Sequence, residues 1–236
     1  MKNKYFSVLF LILIVLARII SSGQSLKVMK NLPNSGDDPE SKQIIIVIDP
    51  GHGGRDPGKV GVNDALEKDI NLKISMKLKD LLEEKDIKII MTREEDIGLY
   101  SETDSNKKRA DLKNRIEIIN SSDAVFAISI HQNSFSEEYV KGAQVFFHGQ
   151  SDKGRELALV LQEQLKETIK DGNHRKAKSN ESYYMLTRTQ CPLVIVECGY
   201  LSNHTEAALL NTEDYQEKLA LAISLGVLKY LKNTNT

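Results

Sequence analysis

The chain has 236 residues, 40% of them apolar and none tryptophan, with 32 basic against 33 acidic residues and a formal net charge of −1. That length suffices for one well-buried core with a short appendage. The balanced charge supplies no basic stripe, which excludes the electrostatic footprint of a nucleic-acid binder.

In chain order, Lys2 and Lys4 precede an uncharged run from Tyr5 to Ala17 rich in Leu, Ile and Val, the layout of an export signal. The run is shorter than the roughly 20 residues of a spanning helix, although Ile19 and Ile20 lengthen it if Arg18 snorkels. Residues 1–23 are therefore expected to be a signal peptide, cleaved after Ser22 or Gly23, or an N-terminal membrane anchor. An ordinary core helix fits the basic start and the polar stretch that follows less well. No cysteine stands near this end to carry a lipid. Residues 24–43 read as a flexible linker and 44–232 as the folded domain.

From Ile44 on, strand-like runs at 44–49, 87–91, 124–130, 143–147 and 193–197 alternate with helical periodicity over 67–84, 107–120, 153–170 and 214–231. Ile70, Ile74, Leu78 and Leu81 recur at intervals of three and four, as one face of a helix requires. Such alternation predicts βαβ units, hence an α/β single domain with a mostly parallel twisted sheet flanked by helices on both faces. The polar segment 173–190 has no clear period and is expected to be a long loop. Cys191 and Cys198 flank the run from Pro192 to Glu197, about 20 Å apart if it is a strand rising about 3.3 Å per residue. They cannot bridge at that distance.

The first strand ends in Ile48-Asp49-Pro50-Gly51-His52-Gly53-Gly54. Proline and glycine turn the chain out of the sheet, and glycines around His52 let a ligand or another backbone come close. A lone histidine after a turn is otherwise an ordinary surface residue. The third strand runs straight into His131, and the strand 193–197 ends in Glu197, so parallel strands bring three polar groups to the edge where open α/β sheets bind ligands. Glu67 opens the helix that follows the His52 turn. Asp64 with Glu67 three residues on also resembles a capping box, and both readings stand at this point. Two histidines and one glutamate form a zinc-hydrolase ligand set with a fourth position for water, which leaves a further glutamate free for acid–base work. By strand alternation Cys198 points away from Glu197, as a small buried residue would.

Six blocks carry a resemblance: IVIDPGHGGRDPGKVG, EKDINL, the TR of 92–93, the arginine and asparagine of RIEIIN, SIHQNS and VECGYLSN. In this order, over about residues 44–231, they resemble the zinc-dependent N-acetylmuramoyl-L-alanine amidases, which detach stem peptides from muramic acid. The resemblance implies a phosphorylase/hydrolase-like fold, one Zn2+ held by His52, Glu67 and His131, and Glu197 as the catalytic glutamate. Gln132, where the family usually has a small residue, and Cys198, where Thr or Gly is common, are mild departures that remove no ligand. With no wall-binding repeats in the sequence, the chain looks most like the germination-specific subgroup that prepares muramic-δ-lactam in the spore cortex.

The expected partner is peptidoglycan, with an accessory protein for metal retention or substrate delivery, and with membrane contact only through the N-terminal segment. The expected location is the cell envelope, in the space around the forespore. Arg93 and Arg115 either bind stem-peptide carboxylates or pair with acids that hold loops, the second being the commoner use. His148, His174 and His204 show no metal spacing; His174 stands out only by lying in the 173–190 segment. The rival readings are a zinc peptidase cutting within the stem peptide and a silent wall-binding module.

Overall fold

The computed structural model describes residues 43–234, so the expected signal or anchor and nearly all of the expected linker lie outside the described residues. Among those described, no helix is long and apolar enough to cross a membrane. The first β-α-β unit comprises β1 (Ile45–Pro50), α1 (Glu67–Glu83) and β2 (Lys88–Met91). Next come α2 (Lys107–Asn120), β3 (Phe126–Asn133) and β4 (Gln144–Phe147). The chain continues through α3 (Asp152–Ile169), β5 (Lys178–Ser179) and α4 (Tyr184–Arg188). It closes with β6 (Leu193–Tyr200), α5 (His204–Leu210) and α6 (Glu213–Thr234).

One six-stranded sheet has the order β2-β1-β3-β6-β4-β5. The four strands β2, β1, β3 and β6 are parallel, whereas β4 pairs antiparallel with β6. The alternation of side chains divides the core in two. Ile46, Ile48, Ile128, Val194 and Val196 face one layer, with Ile74 of α1, Leu161 of α3 and Ile223 of α6. Val47, Ala127, Phe146 and Ile195 face the other, against Ile119 of α2 and Leu186 of α4. Burial on both faces is why the central strands read as continuous apolar runs. Helix starts are fixed locally: Asn106 accepts from the Arg109 N–H at 3.0 Å, and Ser151 from the Gly154 N–H at 3.1 Å, as capping residues do.

Three expectations need correction. The segment 173–190 is not a structureless loop, since it holds β5 and α4, both too short to leave a periodic signal. β6 does not end at Glu197 but continues to Tyr200. The capping box at α1 does not form: Asp64 lies outside the helix, and the N-cap is Leu66 with no side-chain cap bond. Cys191 and Cys198 are free, and Cys198 is buried, as expected.

Candidate metal centre

The carboxyl ends of β1, β3 and β6 meet at one edge, and each delivers one side chain. After β1 the chain turns sharply, and His52 adopts φ 62°, a left-handed conformation that costs a non-glycine residue about 1–3 kcal/mol unless its surroundings enforce it. The surroundings do so through the carbonyls. Pro50 O accepts from Arg93 Nε at 3.0 Å and Arg115 Nη1 at 2.8 Å. Gly51 O accepts from Arg93 Nη2 and Asn71 Nδ2, each at 3.1 Å, and His52 O from Arg115 Nη2. Gly51 itself is needed because a Cβ there would lie 2.2 Å from the His131 ring.

Arg93 and Arg115 are thus buried clamps of the loops; Arg115 pairs with acids, the second of the two roles the sequence left open, whereas Arg93 donates only to backbone carbonyls. Arg115 is anchored in turn by Asp49 at 2.6 Å and Asp111 at 2.6 Å. Burial alone would raise the Asp49 pKa, but the Arg115 guanidinium and the Ser129 and Thr92 hydroxyls hold it at about 2. A carboxyl with a depressed pKa stabilises the fold above its ordinary 3.8 and loses that contribution as the pH falls through about 2; the gap is worth about 2 kcal/mol. Asp49→Ala is expected to lower the unfolding free energy by about 3 kcal/mol at pH 7, because Arg115 loses its buried partner. Its stability should also fall less steeply than that of the parent between pH 4 and 2. Urea titrations across that range measure both, and coincident curves would remove the clamp.

His52 Nε2 stands 3.2 Å and His131 Nδ1 3.0 Å from Glu67 Oε1. One donor atom from each of the three residues falls within 4.8 Å of the others, an arrangement able to hold a metal ion. The second ring nitrogen of His52 is bonded to Asp56 Oδ2 at 2.9 Å, the outer partner that fixes a ligating imidazole. Glu67 is 4% exposed, and the Gln132 N–H at 3.1 Å and the Lys59 N–H at 2.7 Å donate to its two oxygens. Burial opposes its charge, but hydrogen bonds from His131 and His52 hold its pKa far below the usual carboxylate range. Burial likewise works against the His52 cation, yet Glu67 and Asp56 raise its pKa to about 9; a divalent cation at Nε2 therefore displaces a proton.

Glu197 pairs in register with His131 on the adjacent strand, so the two side chains share a face. It is 7% exposed and Oε2 has no hydrogen-bond partner, an unusual state for a buried carboxylate. Burial, with Glu67 adding and His131 opposing, pushes its pKa up to about 7. All four residues singled out in the sequence line one cleft of ≈ 320 Å³, together with Lys108 and Tyr183. Larger hollows around Tyr139 and Asp171 include none of the four. His148 pairs with Glu181 and His204 with Glu138; neither they nor the exposed His174 joins the cluster. Asp56 was missed in the sequence because Asp-Pro-Gly reads as turn chemistry, though its place four residues after His52 was a usable signal.

Residues 46–229 match the family model described as N-acetylmuramoyl-L-alanine amidase. The chain belongs to that family. The amidase is 37% identical to the germination-specific N-acetylmuramoyl-L-alanine amidase of Bacillus subtilis over 97% of its own length and 95% of that protein. Among solved structures it resembles the CwlD amidase of Clostridioides difficile, determined in complex with the GerS lipoprotein. That likeness has a TM-score of 0.78 and 42% identity, covering 80% of this chain and 99% of that one. AmiC2 of Nostoc punctiforme is similar at a TM-score of 0.71 and 31% identity, over 80% of this chain and 97% of that one. The amidase thus hydrolyses the bond joining the lactyl group of muramic acid to the L-alanine of the stem peptide.

Proposed function

We propose that this amidase is a zinc enzyme of the spore cortex, with His52, Glu67 and His131 as the zinc ligands and Glu197 as its acid–base residue. The observation that carries the reading is the convergence of two imidazoles and one carboxylate beside a buried, unpartnered second glutamate. Two nitrogens and one oxygen, with His52 held from behind by Asp56, suit zinc in a hydrolytic site. When bound, zinc supplies Lewis-acid polarisation of the scissile carbonyl and lowers the pKa of a coordinated water toward about 7.

The chain's own residues do the rest. Glu197 Oε2 takes the proton of the attacking water and delivers it to the departing L-alanine nitrogen. Asp56 and the Arg93–Arg115 clamps keep the His52 imidazole in place, and the His131 and His52 rings keep Glu67 ionised against its burial. The products are a glycan with a free lactyl carboxylate and a released peptide.

The cortex assignment is supported by the similarity to the germination-specific amidase of B. subtilis along nearly its whole length. The C. difficile relative was determined with a lipoprotein bound, which supports an accessory protein for this chain as well. We take residues 1–23 as the export signal or anchor that would place residues 44–232 outside the membrane, in the space around the forespore.

Side-by-side digestion of cortex and vegetative peptidoglycan by the zinc-loaded protein tests the reading. Mass spectrometry should find muramic acid stripped of its whole peptide, with faster release from cortex. Equal rates on the two walls would remove the cortex role, and muramic acid still carrying L-alanine would point to a peptidase.

A further inference from the structure

The sequence singled out His174 in the 173–190 segment, but it is the next residue, lining the hollow of Tyr139 and Asp171 that adjoins β4, that the fold ties to the strand next to Glu197. β4 pairs Gln144 with Glu197, so the Gln144 backbone stands one strand, about 4.8 Å, from that of the proposed acid–base residue, with the two side chains on the same face. Arg175 is tied to this strand and to the turn before it. Its Nη1 donates to Gln144 Oε1 at 3.2 Å and its Nε to Lys141 O at 2.7 Å. The guanidinium lies over the Tyr200 ring, 4.7 Å from the centroid. Asn173 sets the backbone, accepting the Arg175 N–H at 2.9 Å while donating to Ala143 O at 2.7 Å. Tyr200 ends β6, and burial raises its pKa, with Arg175 opposing and Glu197 adding.

This cation has only neutral partners. Among the described residues the arginine ion pairs are those of Arg55 and Arg115. Asp171, which lines the hollow beside Arg175, accepts the Asn173 N–H instead. Arg93 and Arg115 use their donors on carbonyls and acids of the fold, whereas Arg175 Nη2 has no acceptor among the described residues. A half-buried guanidinium, oriented by two acceptors and stacked on a ring, is a preorganised fork for a carboxylate.

We propose that Arg175, held by Gln144 of β4 and Tyr200 of β6, the strand that carries Glu197, is a specificity residue that binds a carboxylate on the second or third residue of the stem peptide. The inference rests on the amidase reading and deepens it. One strand spacing plus one side chain puts the fork on the order of 10 Å from Glu197, the span of about three extended residues. The ligand is assigned to the peptide because the lactyl carboxyl, the glycan's own acid, is consumed in the scissile amide.

Muramyl peptides that differ only in whether the carboxylates of residues two and three are free or amidated test this. The parent enzyme should show a KM about 10- to 100-fold lower for the free acid, the range of a charge-assisted hydrogen bond. Arg175→Ala should erase that preference while kcat and zinc content hold, and Arg175→Lys should restore part of it. Equal KM values for the two substrates with the parent enzyme overturn the proposal without any variant, and so does an Arg175→Ala enzyme that is slowed equally on both. Calorimetric binding of both peptides to zinc-loaded Glu197→Gln protein repeats the comparison without turnover. Cleavage without preference counts against Arg175, whereas cleavage of neither substrate by the parent counts against the amidase reading.

Discussion

Glu197→Gln is expected to keep one metal ion per chain while slowing peptidoglycan cleavage by about 10²- to 10⁴-fold, the range of a positioned acid–base group. The replacement keeps the shape of a side chain that is 7% exposed and held in register with His131, so the cleft should not collapse. What it removes is the ability of Oε2 to accept a proton. Burial disfavours the charged form of Glu197, as its raised pKa of about 7 records, so a neutral amide relieves that strain and thermal melting should hold or rise. A stable but inactive protein is the signature of a group placed for chemistry at the expense of stability. Elemental analysis, calorimetry and product assays separate the three quantities. An active Glu197→Gln enzyme would move proton transfer to another residue.

The fold was legible where local pattern and tertiary environment agree. Runs such as Ile45–Ile48 of β1 are continuously apolar because both faces of the sheet are covered, and the 3.6-residue period of α1 survives because only one side of it meets the core. Legibility failed where the signal is short or long-range. α4 has five residues and β5 two, too few for a period to emerge. β6 outruns Glu197 because Cys198 and Gly199 interrupt the aliphatic run, and its pairing with β3 resumes at Tyr200 only after a register shift. Asp49 reads as the first residue of a turn, and nothing nearby announces that its partner is Arg115, 66 positions on.

The site divides along the same line. His52, His131 and Glu197 were found because each ends or follows a strand, and parallel strands must end together. Glu67 sits on a helix and was open to a capping role; the structure withdraws that role by starting the helix from Leu66 as its N-cap and turning the carboxylate toward both imidazoles. Its environment, more than its identity, makes it ligand-like: hydrogen bonds from the two imidazoles keep the buried carboxylate ionised, and two backbone N–H groups orient it. Arg175 was passed over for the opposite reason. In sequence it is one cation in a polar stretch, and only its bond to Gln144, which β4 pairs with Glu197, relates it to the site.

His131→Ala should lose metal and activity together, unlike Glu197→Gln. Outer partners of metal ligands are worth 10- to 100-fold in affinity, so deleting a donor itself should weaken zinc binding by more than about 100-fold. The fold should survive, because the ring is half-buried at the sheet edge, above Gly51, and the strand that carries it is paired on both sides. Since Glu197 remains in place, excess zinc should recover some turnover in His131→Ala and none in Glu197→Gln; that opposite response separates a ligand from a proton carrier. Dialysis against a chelator of graded strength, followed by elemental analysis and rescue assays, measures both effects. A His131→Ala protein that holds stoichiometric zinc as tightly as its parent would take the imidazole out of the ligand set, and the convergence at Glu67 Oε1 would then be a hydrogen-bond cluster rather than a metal centre.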